Sequence, residues 1–175
     1  MGQMAFIPAS AEQAKALRSG ADPGLHRGCS VTTALLRALE PLTTTEEAEF
    51  AALSNAGVLA LLVSSEPTQL VLAAEVEPGQ ITASEDAAGE ITLSSLSWAQ
   101  VQALFLAEPE AADAVAKARQ AVAECAGEVT LAAALQLPEI GELLEGHDLL
   151  WFAPEELDRL GPTGDPSAFA GNRAD

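Results

Sequence analysis

The sequence has no tyrosine, two tryptophans, two histidines, two cysteines, and eight lysines and arginines against 26 acidic residues. Each shortage excludes something. A formal charge of −18 leaves none of the clustered Lys and Arg that nucleic acid or an anionic membrane surface requires. No basic residue falls between Arg37 and Lys117, or between Arg119 and Arg159. His26 and His147 stand far apart, and neither Cys29 nor Cys125 has a second cysteine two residues away, so no zinc ligand set is present. The run Glu85-Asp-Ala-Ala-Gly-Glu90 lacks the alternating ligands of a calcium loop. Gly20, Gly24 and Gly28 are not followed by Gly-Lys-Ser/Thr, and they come after a predicted helix, where a dinucleotide fingerprint comes after a strand. G-x-S-x-G is absent. The longest apolar run, residues 56–63, is far too short to cross a bilayer. Lys15 and Arg18 follow the first apolar run instead of preceding it, unlike a signal peptide, and Phe6 stands where a myristoylation signal needs Ser or Thr. The expectation is a soluble cytoplasmic protein without metal or cofactor.

The chain nevertheless has material for a core. Its hydrophobic share is 49%, too high for a disordered segment. Much of that share is alanine, so Leu, Val and Ala should build the interior. Phe6, Phe50, Phe105, Trp98, Trp151 and Phe152 would be its few large pieces. The length fits one domain over residues 1–160, followed by a Pro-, Gly- and Asp-containing tail, 161–175, expected to be mobile.

Met4-Ala-Phe-Ile7 reads as a first strand. Ser10 and Gln13 form a capping box before a helix over residues 11–18, ended by Gly20. Residues 20–28 read as a loop, in which His26 and Arg27 serve solubility or bind an anion. Thr32 or Thr33 caps a short helix carrying Leu35, Leu36 and Leu39, stopped by Pro41. Thr44 and Glu47 form a second capping box, and Phe50, Leu53, Gly57, Ala60 and Leu61 then recur on one face to about Val63. Gly57 either admits close packing or marks a break.

Residues 68–108 read as the centre of a sheet. Strands are expected at 69–76, 81–83, 90–94 and 96–106, paired as an antiparallel meander because they are close in sequence. Pro109 opens a helix with Ala111, Ala114, Val115, Ala118, Val122 and Cys125 on one side, ended by Gly127. Residues 129–137 fit strand and helix equally. A turn or two of helix follows Pro138, residues 149–152 read as a strand, and Pro154-Glu155-Glu156 as a helix start. The fold class is therefore α+β: a mostly antiparallel sheet of four or five strands with helices packed on one face. A parallel pairing of the first strand with the central block is the alternative.

Four segments carry a resemblance: Phe6-Ile-Pro-Ala9, Val31-Thr-Thr-Ala-Leu35, Glu47-Ala-Glu-Phe-Ala-Ala-Leu53, and His147-Asp-Leu-Leu-Trp-Phe-Ala-Pro-Glu-Glu-Leu157. Together they resemble an uncharacterised actinobacterial family of small acidic proteins, a domain of unknown function. The resemblance runs from Met4 to Leu160 and implies no catalytic residue.

Function is constrained more than it is indicated. The one-signed charge is either a solvated surface or a face that docks a basic partner such as an Arg-rich protein surface. The lack of catalytic motifs favours a non-enzymatic protein-interaction or regulatory module. The alternatives are a small enzyme with a site in the closing segment, where His147, Asp148, Glu155 and Glu156 lie within ten residues, and a small-molecule binding domain in which Trp98 or Trp151 stacks on a ligand. Each residue of that segment also has a structural role open to it: Trp151 as core, the glutamates as helix-start charges, His147 and Asp148 as turn residues. Cys29 and Cys125 read as reduced, partly buried thiols, and a disulfide between them is left open.

Overall fold

A computed structural model describes residues 2–41, 44–64 and 69–160, and the expectation of a mobile tail at 161–175 lies outside them. The described chain is α+β, with one open sheet of seven strands, not four or five. The strands are β1 (Gln3–Pro8), β2 (Arg27–Ser30), β3 (Leu70–Val76), β4 (Ile81–Ala83), β5 (Glu90–Leu93), β6 (Val101–Ala107) and β7 (Leu149–Phe152). Their order across the sheet is β4-β5-β2-β1-β3-β6-β7, and every neighbouring pair is antiparallel. The parallel alternative for the first strand is therefore excluded.

The expected meander is also corrected: β3 pairs with β1 and β6, while β4 and β5 lie at the far edge beyond β2. Burial explains the split. The run Leu70-Val-Leu-Ala-Ala74 is buried on both faces and belongs in the middle of a covered sheet. In β4 and β5 the polar residues Thr82 and Thr92 meet solvent, which suits an edge. Strand β2, read as loop and lead-in, forms because Gly28 permits contact with β1: a Cβ there would stand 2.6 Å from the Phe6 carbonyl oxygen.

The helices are α1 (Ala11–Arg18), α2 (Thr33–Leu39), α3 (Thr45–Val63), α4 (Ala112–Glu124), α5 (Leu131–Ala134) and α6 (Pro138–Gly146). Both expected capping boxes form, at Ser10/Gln13 and Thr44/Glu47. The undecided stretch after Val129 is helical, with Thr130 as N-cap of α5. Helix α3 runs unbroken through Gly57, where close packing is the reason for glycine: Gln69 Nε2 donates to the Gly57 carbonyl at 2.7 Å, and a Cβ would meet Gln69 and Leu149 at 3.2 Å.

The sheet has a core on each side. On one side α2 to α6 pack over Phe6, Cys29, Val71, Ala73, Ala103 and Ala107. On the other, Ile7, Leu70, Leu72, Leu104, Leu106 and Phe152 are covered by Ala14 and Leu17 of α1 and by Leu157 of a 3-10 turn over Pro154–Arg159. The expectation of helices on one face is corrected accordingly. A bulge at Gln102 shifts the β3–β6 register, so Val101 and Ala103 point to opposite cores although two residues apart. Arg18 and Asp158 join the two pieces of the second cover at 2.6 Å, and the guanidinium holds the Asp158 carboxyl below its usual range.

Gly89 sits just before β5, against the end of β2. Its φ is +78°, and a Cβ would stand 2.6 Å from the Ser30 carbonyl oxygen. Gly89→Ala should lower stability by about 2 kcal/mol or more. Gly79→Ala, with nothing within 4 Å of the added carbon, should stay within about 0.5 kcal/mol of the parent. Urea midpoints of the two variants check both figures.

Candidate functional site: an aromatic cleft with an acidic rim

Helix α3 packs over β1, β2 and β3, and several sheet residues on that side are small. Ala73 and Ala103 are register partners and sit beside Phe6, which pairs with Ala73. Two residues along β6, on the same face, Phe105 pairs with Trp151 of β7. Two alanines between larger neighbours leave a depression in the sheet. The first turns of α3 overhang it, placing Glu46, Glu49, Phe50 and Leu53 on one helix face at the i, i+3, i+4, i+7 spacing. The result is a cleft of about 340 Å³. Ala73 and Ala103 form its floor, Phe50, Phe105 and Trp151 its walls, and Glu46 and Glu49 line it from the helix.

Phe50 and Trp151 are each 60% exposed, so the expectation that they are core residues is corrected. Phe50 does lie at helical spacing with Leu53, but no element covers it. Trp151 faces the helix side of an edge strand, next to Phe105. An exposed large apolar side chain is ordinary when alone; several lining one concavity form a patch that marks binding surfaces. Neither the Glu46 nor the Glu49 carboxylate makes a hydrogen bond or ion pair with another described residue. Glu46, in the first turn, stabilises the helix N-terminus. Glu49 lies beyond that turn.

A smaller pocket adjoins the cleft, sharing Phe50 and Leu53 with it. Here α6 ends and His147 takes an extended backbone, its N–H bonding to the Leu143 carbonyl. The ring Nδ1 of His147 lies 2.6 Å from Glu108 Oε1, with both side chains about a quarter exposed (24% and 27%). Asp148, itself exposed, also lines the pocket, and so do Ser54 and Gln69. Its volume is about 40 Å³, room for ordered water but well short of the roughly 300 Å³ at which small-molecule sites begin.

The structure thus brings His147, Asp148 and Trp151 to one valley between α3 and β7, and sends the other expected site residues elsewhere. Glu156 accepts a hydrogen bond from the Ala153 N–H at 2.7 Å, capping the 3-10 turn. Glu155 is exposed on that same turn. Trp98 is half-buried against the opposite core. The carboxylate that meets His147 is Glu108, which the sequence reading passed over. It also passed over Glu46 and Glu49 as a pair beside Phe50, although their helical spacing was visible. Among the described residues no three His, Cys, Asp or Glu side chains converge where a metal ion could sit.

Residues 4–160 match a family of unknown function, DUF6912. The chain belongs to that family. It has no match among the curated proteins or the solved structures. No described helix is long and apolar enough to cross a membrane.

Both cysteines are free thiols. Burial, helped by the nearby Glu90 and Asp86 charges, pushes the Cys29 thiol far up, so it stays protonated and unreactive. Cys125 is half-buried at the end of α4. A native thiol titration should therefore label Cys125 alone, with Cys29 reacting only after denaturation. The His147–Glu108 pair should show a coupling of about 1 kcal/mol in a double-mutant cycle of His147→Ala and Glu108→Ala, read from denaturation midpoints.

Proposed function

We propose that this family member is a non-enzymatic, cytoplasmic protein-interaction module that docks a basic partner in the cleft between α3 and β7. The carrying observation is the cleft itself: exposed Phe50 and Trp151 line it together with Ala73 and Ala103, and two carboxylates with no partner among the described residues stand at its helix side. Apolar walls supply the contact area, and the acidic residues select the sign of what enters. The charge of −18 adds a long-range field that draws basic proteins toward the surface and opposes pairing with a second copy.

The alternative of a small enzyme near His147–Glu156 has less support. Its residues divide between two sides of the sheet, and the pocket beside His147 is small for a substrate. Binding of a neutral small molecule against Trp151 uses the same walls but gives Glu46 and Glu49 no part.

A tagged-protein pull-down tests the reading when run in parallel on the parent and on Ala103→Leu, which fills the cleft floor and leaves the walls intact. A partner captured by the parent at low salt should be lost with Ala103→Leu. It should also be lost near 1 M salt, where the screening length falls to about 3 Å. Equal capture by parent and variant would remove the cleft from the interaction.

A further inference from the structure

We infer that the group the cleft receives is the guanidinium of an arginine side chain on the partner. This deepens the docking proposal and rests on it. The lining combines two chemistries that meet in one type of ligand. Phe50, Phe105 and Trp151 offer aromatic faces, and Glu46 and Glu49 offer carboxylates with no partner among the described residues. An aromatic ring attracts a cation through its quadrupole, and tryptophan does so most strongly. A carboxylate beside it adds directed hydrogen bonding that a planar guanidinium can use with two N–H groups.

The apolar content of the cleft separates arginine from lysine. Ala73, Ala103, Phe6 and Met4 also line it, so an entering cation gives up part of its water to apolar surface. An ammonium is strongly hydrated and loses more in such a place. A guanidinium is weakly hydrated, stacks flat on aromatic rings and keeps its edge N–H groups for the carboxylates. The arginines Arg18, Arg27 and Arg159 are held by Asp158, Glu90 and Glu156, so they are already engaged elsewhere.

The protein carries its own control for the test. It has two tryptophans: Trp151 in the cleft wall and Trp98 against the opposite core. Their two indole N–H resonances, assigned with Trp151→Phe, can be followed while a capped Leu-Arg-Leu peptide is titrated into the full chain. Matched peptides carry lysine, or citrulline, the neutral isostere of arginine. The Trp151 signal should move and saturate with the arginine peptide while Trp98 stays fixed. Lysine should bind about tenfold more weakly, and citrulline weaker still. Glu46→Gln with Glu49→Gln should weaken arginine binding about tenfold. Ala103→Leu should abolish it, with an otherwise unchanged amide spectrum showing that the variant folds.

Lysine binding as tightly as arginine would overturn the inference in favour of a simple charge site. Citrulline binding equally well would overturn it in favour of an apolar one. No movement of Trp151 with any peptide, while a protein partner is still lost with Ala103→Leu, would overturn the arginine assignment and leave docking in place. Loss of a self-associated species with Ala103→Leu in sedimentation would assign the cleft to a second copy and overturn the inference. Partner capture indifferent to Ala103→Leu would overturn the docking reading beneath it.

Discussion

The contact between α3 and the alanine-bearing side of the sheet governs most of what is distinctive in this molecule. Helix α3 is buried along much of its length, from Ala48 and Ala52 to Ala60 and Leu61, and it packs against β1, β2 and β3 as well as α2, α4 and α5. Small residues on both surfaces allow close approach, and Gly57 allows the closest, with Gln69 bonding directly to the helix backbone. On the reverse side of the same strands the residues are large, with Ile7, Leu70, Leu72, Leu104 and Leu106 all buried. Sheet residues alternate sides, so one strand supplies small side chains to the helix layer and large ones to the opposite core. Where the helix-side residues stay small and α3 runs past them, the cleft opens.

Electrostatics follows a similar division. Three arginines are tied to carboxylates that join elements distant in sequence or complete a turn, as in Arg18–Asp158, Arg27–Glu90 and Arg159–Glu156. These exposed pairs each contribute little to stability. They also occupy three of the eight basic side chains, which leaves a large acidic surplus. At Glu46 and Glu49 that surplus meets exposed aromatic surface.

Legibility in the sequence tracked how local the governing interaction was. Capping boxes act over three residues, and Ser10/Gln13 and Thr44/Glu47 fix the starts of α1 and α3 as read. Strand existence was largely visible in β1 and in β3 to β7. Strand order was not, because it depends on which runs need cover on both faces, a competition among segments far apart in the chain. The short strand at Arg27–Ser30 was missed because glycine beside charge reads as loop, whereas here its glycine is what admits β1. The candidate site was legible by halves. His147, Asp148 and Trp151 share a valley as their sequence proximity suggested, but Glu155, Glu156 and Trp98 belong to the other side. Periodicity placed Phe50 on the correct helix face and could not say that the face extends beyond its cover.

Strand β7 supplies the Trp151 wall, and among the described residues it pairs only with β6. During synthesis α3 and the strands of the floor leave the ribosome well before it. Until β7 pairs with β6 the cleft lacks its Trp151 wall. A partner that touches both walls would therefore require β7 to be paired with β6 before it could bind.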